Sequence, residues 1–184
     1  MSTQEADATP RQAAGTIEAS EALRIPEDKA EEIVEALQTD LASMYVLYHQ
    51  LKKHHWAVEG AEFLGIHEFL GDAADDAEEA ADELAERIQA IGGVPVSSGA
   101  ALEERAPVAP EGQDVYDIRT SLANDMEMYG DIIESLREHV NLANTLGDYT
   151  TEEHLMDILE ETEEHAHHIE HYLEDDTLVH EDAM

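Results

Sequence analysis

The sequence predicts an all-α protein arranged as a four-helix bundle, and three observations support this. Apolar residues recur at spacings of three and four along four long segments, which is the period of an amphipathic helix. Clusters of glycine and proline separate these segments. The chain contains no cysteine, so it offers no disulfide framework, and its 184 residues fit a single domain.

The first two predicted helices form an antiparallel hairpin. The first begins near Pro26 and ends near Trp56, and a short link through Gly60 leads to the second, which Gly92 and Gly93 stop. The apolar stripe of the first comprises Ile33, Val34, Leu37, Leu41, Met44, Tyr45, Tyr48 and Leu51. That of the second comprises Phe63, Ile66, Leu70, Ala74, Ala77, Ala81, Leu84, Ile88 and Ile91.

A long crossover connects predicted helices 2 and 3. Residues 92–113 are too rich in glycine and proline for a long helix, although residues 100–105 fit one or two turns. The third helix runs from Val115 to Val140, and the fourth follows Gly147 and ends near Leu173. Four long helices with one long middle connection are typical of ferritin-like bundles, although a plain four-helix bundle has the same period.

Three regions follow from this layout. We expect a flexible N-terminal arm over residues 1–25, the bundle over 26–175 and a C-terminal tail over 176–184. The arm is rich in Ala, Ser, Thr and Glu and shows no strong helical period. Its start lacks the basic and apolar segments of a secretion signal, and no apolar run approaches the roughly 20 residues of a membrane span. The sequence therefore predicts a soluble, cytoplasmic protein with no membrane partner.

The chain is strongly acidic along its whole length. It has 45 Asp and Glu against 9 Lys and Arg, a formal net charge of −36. Disorder is excluded because 42% of the residues are hydrophobic and recur with a helical period. Self-repulsion at this charge density destabilises a compact chain unless salt screens it, so we expect a halophilic protein.

Two histidines and two acids have a spacing that points to a metal centre shared between copies. Their imidazole and carboxylate groups suit iron, zinc or manganese. The hairpin brings His55 and His67 to one end of the molecule, whereas Asp82 lies roughly 22 Å from His67 along the second helix, with Glu86 one turn further. If the four are co-ligands, the carboxylates come from a second copy across a two-fold axis.

These residues also carry a resemblance to a known family. The run Leu51-Lys52-Lys53-His54-His55-Trp56, followed by Gly60, Phe63, His67, Asp82 and Ala85-Glu86-Arg87, resembles the signature of the Dps mini-ferritins, and the overall composition resembles their haloarchaeal branch. The resemblance implies a hollow homododecamer that oxidises Fe(II) with hydrogen peroxide in preference to dioxygen and stores the Fe(III) mineral. It implies iron bound by His55 and His67 of one subunit and by Asp82 and Glu86 of another, at ferroxidase centres that protect against oxidative stress.

One position departs from the family pattern. The family places an acid four residues after its second histidine, where this chain has Gly71. Asp75 keeps the same helical stripe as His67, whereas Asp72 is turned by about 100°. We therefore predict Asp75 as the replacement ligand, with Asp72 as the alternative.

The fourth helix ends in a histidine-rich stretch. His167 and His171 are one turn apart and form a second candidate metal pair, either on an iron path or in a plain solvated patch. With Glu170 they match the H-x-x-E-H motif of inverted zinc proteases, but only 13 residues follow His171, too few for the rest of such an enzyme.

The sequence supports three further expectations. DNA binding is not expected, because the arm has Arg11 and Arg24 but more acids and no lysine. An intrasubunit di-iron oxidase is disfavoured, because it needs two Glu-x-x-His motifs and this chain supplies only that of Glu164 and His167. The remaining alternative is a non-catalytic helical scaffold with a halophilic surface.

Overall fold

A computed structural model describes residues 9–174, and these residues form helices without strands. The helices are α1 (Glu27–Ala57), α2 (Phe63–Ile91), α3 (Gly99–Arg105), α4 (Ile118–Leu146) and α5 (Tyr149–Leu173). The predicted all-α class is confirmed. The four long helices are those predicted from the apolar period, and the short α3 lies within the crossover.

The bundle consists of two helical hairpins, α1 with α2 and α4 with α5. The hairpins pack mainly through α1 and α4, α3 covers α1, and α2 and α5 pack least closely. The core is made of aliphatic side chains from the predicted stripes, among them Leu37, Leu41, Leu70, Leu84 and Ile88. Burial of these stripes, more than helix propensity, stabilises the long helices.

The end of α2 is fixed by a glycine with a left-handed backbone. Gly92 has φ 119°, and a Cβ there would lie 2.1 Å from the carbonyl oxygen of Glu18. Glu18 N donates to Gly92 O at 2.9 Å, and Ile17 packs against the core. Part of the predicted arm therefore lies against the bundle, and its flexibility stays a prediction; residues 1–8 and the predicted tail lie outside the described residues.

Gln38 of α1 holds the first part of the crossover. Gln38 Nε2 donates to Val94 O at 2.7 Å, and Val96 N donates to Gln38 Oε1 at 2.8 Å. Ser98 then caps α3 by accepting from Ala101 N. These bonds hold a segment that has little regular structure of its own.

The predicted start of the third long helix was wrong by one turn. Asp117 Oδ1 accepts from Thr120 N at 3.0 Å, and this cap places the first residue of α4 at Ile118. Val115 therefore lies before the helix and is 70% exposed. Val115 is apolar and has the same helical spacing as the residues that follow it, so the predicted helix began before the true cap at Asp117.

Candidate metal centre

His55 and His67 lie together at one end of the α1–α2 hairpin, as the sequence predicts. Their rings stack with centroids 3.8 Å apart and planes inclined by 19°. His55 is near the end of α1, His67 is in the second turn of α2, and the five-residue connection 58–62 folds one against the other. Phe63 also stacks on His67, with centroids 4.8 Å apart.

Each of the two imidazoles is held by the backbone of the other residue. His55 Nδ1 donates to His67 O at 2.7 Å, and His67 Nδ1 donates to His55 O at 2.8 Å. A neutral imidazole that carries its proton on Nδ1 has a free lone pair on Nε2. Backbone carbonyls commonly orient metal-binding histidines in this way. The pair therefore offers two oriented Nε2 ligands.

The missing acid at position 71 leaves room for His55. A Cβ at Gly71 would lie 3.2 Å from both Cε1 and Nδ1 of the His55 ring, which is tighter than ordinary contact. The predicted replacement, Asp75, pairs with Lys52 through Oδ1 at 2.6 Å and is 70% exposed. Asp72 is exposed on the same helix. Neither carboxylate contacts the histidine pair in the single chain.

Asp82 and Glu86 lie one helical turn apart on the exposed surface of α2. Their distance from His67 along the helix is the roughly 22 Å given by the rise per residue. Within residues 9–174, no three His, Asp or Glu side chains already converge as a metal site. One chain thus presents the imidazoles and the acid pair at two separate places.

Other residues of the sequence motif have structural partners. Arg87 Nη2 donates to both carboxylate oxygens of Asp148 at 2.7 and 2.8 Å, and its Nε donates to Thr151. Lys53 donates to Glu111 at 2.5 Å and lies over the ring of Tyr116. These side chains tie the hairpin to α5 and to the crossover.

No local sequence pattern gives His54 a role of its own, and the structure shows that it is buried in an ion network. Its Nδ1 contacts Asp125 Oδ2 at 2.7 Å and its Nε2 contacts Glu111 Oε1 at 2.6 Å. Burial alone would lower the pKa of His54, but hydrogen bonds and charge from Asp125 and Glu111 outweigh it and raise that pKa. Asp125 lies 71 positions away, so no local pattern could reveal the pair.

A second buried pair was also missed. His139 Nδ1 contacts Asp40 Oδ2 at 2.7 Å, and Asp40 is 1% exposed. Burial opposes protonation of this imidazole, yet Asp40 raises the pKa of His139. Both pairs connect α4 to α1, so they hold the two hairpins together and lie apart from the His55–His67 pair.

The candidate pair on α5 is preformed. His167 Nε2 and His171 Nε2 are 3.1 Å apart, and Glu170 Oε2 contacts His167 Nδ1 at 3.2 Å. A metal at ordinary Zn–N distances of about 2.0–2.1 Å spans two nitrogens about 3 Å apart. Both rings stand on an exposed part of the helix.

Large apolar side chains are exposed close to His55 and His67 in the sequence, and one of them, Phe63, stacks on His67. Trp56 is 76% exposed, Leu64 63% and Phe63 42%. Exposed apolar groups gathered at one place commonly mark a protein interface. Over the residues described, none of the helices combines the length and apolar character that crossing a bilayer requires.

Comparison with known proteins gives consistent matches. The ferritin-like domain family matches residues 34–179. The chain is 61% identical to the DNA protection during starvation protein of Halobacterium salinarum over the full length of both chains. It is 40% identical to a nutrient stress-induced DNA-binding protein of Synechococcus sp., over 80% of this chain and 84% of that one.

Solved structures match as well. The crystal structure of an archaeal dps-homologue from Halobacterium salinarum superposes with a TM-score of 0.92 at 61% identity, covering 97% of this chain and 99% of that one. DpsC from Streptomyces coelicolor superposes with a TM-score of 0.89 at 26% identity, covering 94% of this chain and 100% of that one. The ferritin-like bundle predicted from the helix layout is therefore confirmed.

Proposed function

This chain belongs to the Dps family of ferritin-like proteins, and we propose that it is a ferroxidase that oxidises Fe(II) and stores the Fe(III) product inside a homododecamer. Membership of the family supports a role in iron storage and protection from oxidative stress. The proposal concerns the reaction, the residues and the assembly.

One observation carries the proposal. His55 and His67 present two oriented Nε2 atoms on an apolar surface, while the acids suited to complete the centre lie far along α2. A second copy packed antiparallel on that surface would bring its Asp82 and Glu86 to the histidines of the first. The centre would then form only in the assembly, with iron as its substrate.

The proposed roles follow from ligand chemistry. Asp82 and Glu86 attract Fe(II) and stabilise the greater charge of Fe(III), and His55 and His67 fix the position of the ion. Hydrogen peroxide, or dioxygen in its place, accepts the electrons. Two Fe(II) ions each give one electron to one hydrogen peroxide; its O–O bond breaks, and with two protons it gives two water molecules and two Fe(III) ions, without a free hydroxyl radical.

The acid pair provides the direct test. We expect the double variant Asp82→Ala, Glu86→Ala to oxidise Fe(II) with peroxide at least about a hundredfold more slowly. Mutating a residue that only orients a metal ligand typically lowers activity about 10–100-fold, and here two proposed ligands are removed. The rate is measured as the rise of Fe(III) absorbance after mixing. Glu79→Ala, Glu83→Ala is the matched control, since this pair has the same spacing on the exposed surface of α2. Equal rates in the two double variants would contradict the proposed centre.

We propose Asp75 as the further carboxylate that replaces the acid absent at Gly71. Its pair with Lys52 is largely exposed, and such pairs contribute only about 0–1 kcal/mol, so the carboxylate is easily released to iron. We expect Asp75→Asn to weaken Fe(II) binding, whereas Asp72→Asn leaves it unchanged. The opposite result would assign the role to Asp72.

We propose that His167 and His171 form an auxiliary site for a divalent metal. Their 3.1 Å separation already matches two ligands of one ion, and Glu170 supplies nearby negative charge. His171→Gln should then remove one weakly bound Zn²⁺ per chain in a calorimetric titration. His154→Gln, at an exposed histidine earlier on α5, is the control.

We also propose that the protein does not bind DNA, although two relatives have names that refer to DNA. Phosphate binding depends on Lys and Arg, and the N-terminal arm has Arg11 and Arg24 against a larger number of acids. With a net charge of −36 per chain, repulsion opposes any approach to the duplex.

A further inference from the structure

A small cleft lies between α2 and α5, which pack less closely than the other helix pairs in contact. Its polar lining consists of Asp76 from α2, Tyr129 from α4, and Glu161, Thr162 and His165 from α5. We call this the α2–α5 cleft. Its volume is about 10 Å³, the space that one water molecule or one small ion fills.

Two polar atoms of the lining have no hydrogen-bond partner within the described part of the chain. They are the hydroxyl oxygen of Tyr129 and Nδ1 of His165, and both atoms are buried. Tyr129 is 1% exposed, and burial raises the pKa of Tyr129 well above its usual value, so the hydroxyl keeps its proton. Buried polar groups of this kind normally have a partner, which indicates an occupant of the cleft.

The contact of His165 with Asp76 determines which ring nitrogen carries the proton, and therefore what the other nitrogen, Nδ1, can bind. His165 Nε2 contacts Asp76 Oδ2 at 2.8 Å, so in a neutral ring the proton lies on Nε2 and Nδ1 has a free lone pair. An imidazole with a carboxylate on one nitrogen and a lone pair on the other has the arrangement of a metal-binding histidine. A cation is a better partner for that lone pair than another acceptor.

The charge around the cleft also favours a cation. Although Glu161 is largely exposed, partial desolvation of its carboxyl, followed by the like charges of Asp76 and Glu79, raises the pKa of Glu161, with a smaller rise from Glu83. Repulsion among these carboxylates is thus only partly offset by His165. A divalent ion would neutralise this excess.

We propose that the α2–α5 cleft binds one divalent transition-metal ion, with Nδ1 of His165 as its nitrogen ligand and Glu161 as its carboxylate ligand. Asp76 orients the imidazole, and the Tyr129 hydroxyl oxygen offers the ion a neutral oxygen ligand. Three ligands do not converge before the ion arrives. Glu161 is exposed, so its side chain is free to turn into the cleft. This site lies within one subunit and is separate from the centre proposed above.

Zn²⁺ is the probe, because it takes nitrogen and oxygen ligands and has no redox chemistry. Crystals of the full chain soaked in Zn²⁺ should show an anomalous peak beside His165 Nδ1. In solution, His165→Gln should lose one Zn²⁺ per chain by elemental analysis after gel filtration. His168→Gln, an exposed histidine on the same helix, should lose none at this site.

A milder variant guards against misfolding. Glu161→Gln changes an exposed side chain and should weaken Zn²⁺ binding at the cleft by at least about tenfold. Zn²⁺ bound at the other two proposed sites is counted separately. The Asp82→Ala, Glu86→Ala variant removes the ion at the acid pair, His171→Gln removes the ion at His167 and His171, and both variants leave the cleft residues unchanged. A water in place of the anomalous peak, or equal Zn²⁺ content in wild type and His165→Gln, would overturn the proposal.

Discussion

At His54, burial and the neighbouring carboxylates shift the pKa of the imidazole in opposite directions. The ring is 2% exposed, and it contacts Asp125, which is fully buried, and Glu111. Because the net effect of these acids is to raise the pKa of His54, the folded state holds the proton more tightly than the unfolded chain. The stabilisation is complete below the ordinary pKa of 6.5 and is lost as the pH rises through the raised value.

We predict that His54→Gln lowers the free energy of unfolding at pH 6 by about 3–5 kcal/mol, because Asp125 then keeps a buried charge without its partner. Stability should also decline less steeply above pH 6.5 in the variant than in the wild type. Urea unfolding at constant high salt measures both quantities. His49→Gln, at an exposed neighbour, is the control, and an unchanged pH slope in His54→Gln would contradict the assignment.

Local spacing predicted the His55–His67 pair, because the two residues flank one short hairpin connection. The same reasoning could not find the partners of His54 or His139, since the acids they contact are 71 and 99 positions away. It also could not show that Asp75 pairs with Lys52. Pairs between distant helices depend on the packing of the bundle, and a single sequence does not contain that information.

The start of α5 is joined to α2 by polar contacts. Asp148 caps the helix by accepting from Thr151 N, and the same carboxylate accepts two bonds from Arg87 of α2. Burial alone would raise the pKa of Asp148, but Thr151 and Arg87 outweigh it and lower that pKa. One side chain thus begins α5 and connects it to α2.

We predict that Asp148→Ala lowers the free energy of unfolding by about 3 kcal/mol or more. The substitution leaves the largely buried guanidinium of Arg87 without its carboxylate partner, and it also removes the cap of α5. Asp117→Ala removes an exposed cap of the same geometry on α4 and should cost about 1 kcal/mol. The lowered pKa means that this stabilisation is present above pH 3.8 and is lost as the pH falls. Equal costs in the two variants would show that the Arg87 contact contributes nothing.

Helix ends were predictable wherever glycine stopped them. Gly92 and Gly147 both have a left-handed backbone at the ends of α2 and α4, as the sequence indicates. The start of α4 was less predictable, because Val115 continues the apolar period while the cap at Asp117 decides the boundary. The spacing of apolar residues predicts which face of a helix is buried, whereas the capping residues determine where the helix begins and ends.

For the whole molecule, charge and assembly act against each other. Twelve chains with a net charge of −36 repel one another, and salt shortens the range of that repulsion. We predict a native mass of twelve 20.4 kDa chains in molar KCl and partial dissociation at tens of millimolar. Light scattering during dialysis measures this. A monomer or dimer in molar salt would contradict the proposed assembly and favour a scaffold.

The same charge predicts how the molecule behaves with DNA. At low salt, where electrostatic attraction between protein and DNA is strongest, we expect no shifted band in a gel assay with linear duplex. A lysine-rich DNA-binding protein in the same gel serves as the positive control. A tight, stoichiometric complex would contradict the prediction.

Each ring of the His55–His67 pair donates its hydrogen bond to the backbone carbonyl of the other histidine and not to the other ring. Replacing one histidine therefore leaves the anchor of the other in place. A residue inserted between positions 58 and 62 would instead displace both carbonyls, and with them the aim of both rings. The length of this small connection, which contributes no ligand itself, thus decides whether the proposed iron centre receives two well-directed nitrogens or none.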